Sequence, residues 1–228
     1  RDFITDFLRT YNPEGAAARN PVTKKVHPHG LSSAGPNEEW GLDRHEKLLL
    51  SMRVGVYGGT DKYSRLELGL WACPNPRDPN LPIAMWLRMV KEVGGIPVTV
   101  TCDKGTELGK LIPLVTEIRA KYQPYLPEER IPAITATKSI KNITRERSWR
   151  PLYETELSNV AHEYQIGLVE SGYHPNDEFH QTLSCWVWAQ IVQVRLDEHR
   201  KANAYHVVRK QAKILLPSSA RRIDMYRR

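Results

Sequence analysis

The sequence predicts an α/β domain: a mixed five-stranded sheet flanked by helices, with an added C-terminal helical segment. Two observations carry this. Between Trp40 and Pro74, apolar residues alternate in three short runs separated by Gly and Asp turn signals, as an antiparallel meander requires. Beyond Pro74, helix-like and strand-like stretches take turns, giving the order β-β-β-α-β-α-β-α and then further helices.

The elements follow in order. Residues 2–9, DFITDFLR, have the apolar spacing of a short amphipathic helix, and NPEG at 12–15 breaks it. Residues 16–37 are small, basic and rich in Pro and Gly, and read as a linker. Trp40 and Leu42 lead to Asp43 in the first strand. Met52, Val54 and Val56 alternate before GGTD, and Leu66, Leu68 and Leu70 alternate after it. LPIAMWLRMVKEVGG (81–95) is a helix with Pro82 suited to its first turn and Gly94 to its end. IPVTVTCDKGTE (96–107) is a strand running into an acidic turn, followed by a helix over 107–121. IPAITATKS holds the last strand, and a basic helix follows that Pro151 should kink or end near Arg150. LYETELSNVAHEYQIGLVESG (152–172) is helical, and HPND caps one more helix. On it Phe179, Leu183, Trp186, Val187, Ile191 and Val194 form a 3.6-residue stripe, with Trp186 and Trp188 expected to pack. Three antiparallel strands followed by alternating helices and strands is the order of a ribonuclease H-like domain.

Composition narrows the function. The apolar content and mixed charge are those of a folded globular chain of 228 residues, and no apolar run approaches the roughly 20 residues of a membrane span. Cys73, Cys102 and Cys185 lie far apart and are odd in number, so neither a disulfide framework nor a cysteine zinc knot is supported; a reducing, intracellular setting fits. His27 and His29 of HPH read as loop residues. The net charge of +7 is carried by residues 195–228, while the body balances. Such a basic tail points to an acidic polymer, nucleic acid foremost.

TKSIKNITRERSWRP (137–151) sets one carboxylate, Glu146, among Lys138, Lys141, Arg145, Arg147 and Arg150. On a helix Asn142, Glu146 and Arg150 share a face. Such cations normally turn toward solvent or phosphate, because burying an unpaired charge is costly. Two more acids sit at strand ends, Asp43 and Asp103, and the fold would bring the helix of Glu146 against them. Three oxygen ligands with open positions suit one or two Mg²⁺ (or Mn²⁺) ions, the arrangement that drives in-line phosphoryl displacement.

WGLDRHEKL, GGTDKYSR, TCDKGTE and TKSIKNITRERSWR, in that order, resemble the DDE (retroviral-integrase-like) integrase core of transposon-derived proteins, many of them fungal. The resemblance runs from about residue 12 to 217, with NPEGAAAR and GPNEEW similar to the linker before the core. It implies metal-dependent cleavage and joining of DNA, with Asp43, Asp103 and Glu146 as catalytic metal ligands. Lys138, Lys141, Asn142, Arg145, Arg147 and Arg150 would then serve as DNA-binding residues. Asp61 matches a non-catalytic acid that shapes the second hairpin. Residues 1–37 would be the end of an N-terminal helical module plus linker, 38–172 the ribonuclease H-like catalytic core, and 173–228 a C-terminal helix and basic tail. The resemblance also implies DNA as partner, a homo-oligomer and a nuclear or otherwise intracellular location. Arg44 departs from the small residue common at that position; it either folds back onto Asp43 or points away. The alternative reading is a domesticated, catalytically inactive integrase-like domain that binds DNA or a protein partner.

Overall fold

The computed structural model describes residues 7, 10–14, 31–46, 48, 52–75, 77–103, 105–137, 143–210 and 215–227; the side chains of residues 106, 107, 137, 143, 144 and 146 lie outside that description. The chain divides into two units, residues 1–31 and 32–228. In the first, the described residues are mostly helical and the ring centroids of Phe7 and Tyr11 lie 4.6 Å apart, tilted by 35°.

In the second unit, strands β1 (Glu39–His45), β2 (Gly55–Asp61) and β3 (Glu67–Cys73) form the expected antiparallel meander. Strands β4 (Thr99–Asp103) and β5 (Ile134–Thr137) add to β1 in parallel, giving the order β3-β2-β1-β4-β5. This is the ribonuclease H-like sheet. Residues alternate between its faces. One face buries Trp40, Leu42, Tyr57, Trp71, Val100 and Cys102 under α1 (Leu81–Val93) and α2 (Leu111–Tyr122). Gly94 ends α1 at φ 78°, a conformation that costs glycine nothing.

The other face carries a second core built on Val56 and Leu70. Helix α3 (Ile143–Leu152), a π-helical turn (Tyr153–Leu157) and α4 (Ser158–Glu170) cross it in succession. Pro151 thus neither ends the helix nor isolates α4. It lacks an amide to donate, and the next turn widens into the π form. Helix α5 (Glu178–Tyr205) starts at Asp177, whose side chain accepts from the His180 amide, as the HPND signal anticipates. A short α6 (Arg222–Tyr226) ends the description.

The stripe expected on α5 faces the other way. Phe179 is 70%, Trp186 61% and Val194 56% exposed, whereas Ala189, Val192 and Leu196 are buried and Cys185 and Trp188 partly so. Apolar residues nearly encircle this helix, so periodicity alone left the face ambiguous. Trp188 does pack, meeting the Tyr164 ring edge-on at 5.3 Å.

Strand β3 departs from simple alternation. Gly59 pairs with Gly69 but Thr60 with Glu67, so Leu68 is an extra residue in the ladder. The bulge brings Glu67 and Leu70 to the same face although they are three apart. Asp61, fully buried at the end of β2, accepts from the Ser64 amide (2.8 Å) and hydroxyl (2.6 Å) and from the Asn37 amide (2.8 Å). It shapes the second hairpin and ties down the entry to β1.

His199 of α5 lies in the field of Glu67, Glu156, Arg222 and Arg145, and burial, the dominant effect, holds its pKa below the ordinary 6.5. The unfolded chain therefore binds the proton first as pH falls. Stability from neutral His199 is complete above about pH 6.5 and is lost as pH drops through the lower folded-state value. Urea midpoints measured between about pH 7.5 and 5.5 should fall with acidification, and His199→Gln should flatten the decline.

Candidate active site

Asp43 and Asp103 stand side by side. In the β1–β4 register Leu42 pairs with Cys102, so the next residues, the two acids, occupy adjacent positions at the carboxyl ends of neighbouring parallel strands. Such strands run about 4.8 Å apart. Ligand sites in open α/β sheets gather outside the carboxyl ends of strands. Both acids line one cavity of about 290 Å³ there, with Leu42, Arg44, Glu46, Tyr57, Cys102, Gly105 and Leu108.

The two carboxylates have different settings. Asp43 is 9% exposed, and its Oδ2 accepts the indole N–H of Trp149 at 2.5 Å. Asp103 Oδ1 is buried and has no hydrogen-bond partner among the described residues. A carboxylate oxygen withdrawn from water without a partner is costly, and next to a second carboxylate more so. A hard cation supplies the missing compensation, so the donor set fits a Mg²⁺-type ion. Among the described residues no three His, Cys, Asp or Glu side chains converge as a metal-binding group. The side chain of the third candidate, Glu146, lies outside the description, and its backbone sits within α3.

Arg44 turns to Glu46, with Nε 3.0 Å from Oε1. Strand alternation sends it to the opposite face from Asp43. The thiols are unsuited to nucleophilic work: all three cysteines are free, and burial pushes Cys73 up to about 12.

The expected DNA-binding set divides. Arg147 and Arg150 are exposed, and Arg150 bonds Glu154 at 2.8 Å one turn on, a pairing that raises its pKa. Lys138, Lys141 and Asn142 lie outside the described residues. Arg145 is a correction. It is fully buried, bonded to the carboxylate of Glu67 and, at 2.9 Å, to the hydroxyl of Thr60, so it has no access to a phosphate. A cation can enter this core because Glu67 waits there, and Glu67 waits there because of the Leu68 bulge. Sequence reasoning missed Glu67, Thr60 and Trp149 as parts of the site. The only signal was the GG pair before Thr60. A Cβ on Gly58 would come within 2.1 Å of Arg145 Nη2, so the glycine makes room for the guanidinium.

The strand order β3-β2-β1-β4-β5, with Asp43 and Asp103 side by side on β1 and β4, is that of a ribonuclease H-like fold. The integrase core domain family matches residues 31–217, and the chain belongs to that family. Among curated proteins none matches it. Solved structures similar to the chain include the simian T-cell lymphotropic virus intasome in complex with PP2A regulatory subunit B56 gamma (12% identity, 94% of this chain and 63% of that one, TM-score 0.47). Others are the HTLV-2 integrase catalytic core domain in complex with magnesium in its trimeric form (14% identity, 86% and 99% covered, TM-score 0.45) and dimeric form (14%, 86% and 100%, TM-score 0.44). The chain spans about 63% of the length of the intasome chain. No helix among the described residues is long and apolar enough to cross a membrane.

Proposed function

We propose that this chain is a DDE-type polynucleotidyl transferase core that cuts and joins DNA strands by in-line phosphoryl transfer. The observation that supports it most is the buried oxygen of Asp103, without a partner among the described residues, beside Asp43 in one cavity toward the carboxyl ends of β1 and β4. Asp43, Asp103 and Glu146 would hold one or two Mg²⁺ (or Mn²⁺) ions. Bound there, such ions supply polarisation of the phosphate oxygens and a lowered pKa for the attacking water or 3′-hydroxyl.

The chain's own residues do the rest. Leu42, Tyr57, Cys102 and Leu108 give the cavity apolar walls that limit water at the acids. Arg147 and Arg150 present exposed cations on the outer side of α3, where they meet the DNA backbone. The Arg150–Glu154 pair is exposed and therefore weak, and opens readily to a phosphate. Lys138, Lys141 and Asn142 precede α3 in the chain and extend the same basic run. DNA is the partner in this reading, a homo-oligomer the assembly, and the nucleus the natural location.

The experiment is nicking of duplex DNA with Mg²⁺ and with chelator. Cleavage that requires the ion and falls at least about 100-fold in Glu146→Gln is the expected result. Cleavage that persists unchanged in Glu146→Gln would remove that residue from the ligand set.

A further inference from the structure

The sheet face beneath α3 holds a connected set of contacts that leads from β3 to the candidate site. Glu67, placed by the Leu68 bulge, bonds Arg145. The Arg145 guanidinium lies 3.7 Å from the centroid of the Trp149 ring, and the Trp149 indole N–H reaches Asp43 Oδ2 at 2.5 Å. Arg145 and Trp149 are four residues apart on α3, hence on one side of the helix. Arg145 occupies the space above Gly58, and Gly58 is the register partner of Asp43. His45, two residues past Asp43 on the same strand face, sets its ring 5.0 Å from Trp149. The indole is thus held by a cation and an imidazole, with its one polar atom on the candidate ligand.

We propose that Trp149 is a positioning residue for metal binding: its indole N–H fixes the Asp43 carboxylate, and Arg145 and Glu67 fix the indole. The inference rests on the metal-site reading above. Its chemical basis is that an indole is a donor only, so it can orient a carboxylate without competing for the metal as a ligand. A carboxylate on a single χ1–χ2 setting loses less freedom on coordination than one that rotates, and outer-shell partners of this kind are typically worth 10–100-fold in metal affinity. The same helix carries Glu146, so the docking of α3 and the orientation of Asp43 are set together. A Trp serving only as core filler needs its ring but not its N–H, and Phe would replace it.

The test uses the whole chain and two readouts. In ¹H–¹⁵N spectra without metal, the indole resonance that disappears in Trp149→Phe should move upfield in Asp43→Ala. An indole resonance indifferent to Asp43→Ala overturns the contact. In Mn²⁺ titrations followed by electron paramagnetic resonance, Trp149→Phe should bind about 10–100-fold more weakly than the native chain. Leu152→Ala, which removes buried volume from the same helix without touching Asp43, should bind as the native chain does. Equal weakening in both variants means general loosening and overturns the proposal, as does unweakened binding in Trp149→Phe. If the native chain binds no Mn²⁺ that Asp103→Asn abolishes, the metal-site reading itself falls and takes this inference with it. That outcome is read from the native chain and Asp103→Asn, with no Trp149 variant involved, so the two failures are distinct.

Discussion

Replacing Asp103 with Asn should make the metal-free protein more stable and abolish its chemistry. The carboxylate sits at the end of β4 with one oxygen buried and without a partner among the described residues, next to Asp43 on the adjoining strand. Two like charges at neighbouring positions repel, and a buried unpaired charge is disfavoured further. A neutral amide of the same shape relieves both. The expected gain is about 1 kcal/mol in urea denaturation without divalent ions. Function runs the other way. If Asp103 holds an ion that stabilises the charge developing on phosphate, its loss should cost at least about 10³ in nicking rate, some 4 kcal/mol of transition-state stabilisation. Mg²⁺ adds a third sign. An ion that binds only the folded chain raises its melting temperature by mass action, so the native protein should gain stability with Mg²⁺ and the variant should not. A destabilised Asp103→Asn, or equal Mg²⁺ stabilisation of both proteins, would mean that Asp103 is a structural acid.

The same acids show which parts of this molecule can be read from sequence. Asp43 and Asp103 were legible because each ends a period-2 apolar run. Strand order then follows from short connections and alternation, and the register of β1 and β4 brings the two together. Glu146 reads only as a lone acid in a basic run, which carries no information about direction, and its side chain lies outside the described residues. Arg145 shows why. Read locally, it is one of five similar cations. Its burial depends on Glu67, 78 residues earlier, and on a bulge that shifts the parity of β3. Leu66, Leu68 and Leu70 look like an unbroken alternating strand, so nothing in the pattern announces the extra residue. The failure on α5 has a different origin. Its apolar residues cover most of the helix circumference, so the pattern leaves the packed side undecided, and it is Ala189, Val192 and Leu196 that turn inward. Local pattern thus predicts elements, while the polar contacts between elements depend on register.

That long-range pair should dominate the stability of the site face. Arg145 is fully buried and Glu67 is 3% exposed, and Thr60 completes their bonding. Truncating the cation in Arg145→Met leaves a carboxylate inside the protein bonded to the Thr60 hydroxyl, with only the more distant His199 and Arg222 in its field among the described residues, and breaking a buried pair in this way costs about 3–5 kcal/mol. The companion substitution separates that penalty from the worth of the pair. In Arg145→Met with Glu67→Gln, no charge remains to be buried, and the glutamine still bonds Thr60. Nε and Nη2 of Arg145, both buried and without hydrogen-bond partners among the described residues, are removed at the same time. The double variant should therefore recover most of the loss, to within about 1 kcal/mol of the native chain, and the cycle should show strong coupling. Stability and site geometry then part company. The recovered fold still lacks the guanidinium over the Trp149 ring, so Mn²⁺ affinity should remain weakened although the urea midpoint has returned. An Arg145→Met variant as stable as the native chain would show that Glu67 finds compensation elsewhere. A double variant with native Mn²⁺ affinity would show that Trp149 holds Asp43 without the cation above it. The ion pair is retained in this reading for where it puts α3, since an apolar pair of similar volume would serve the core equally well.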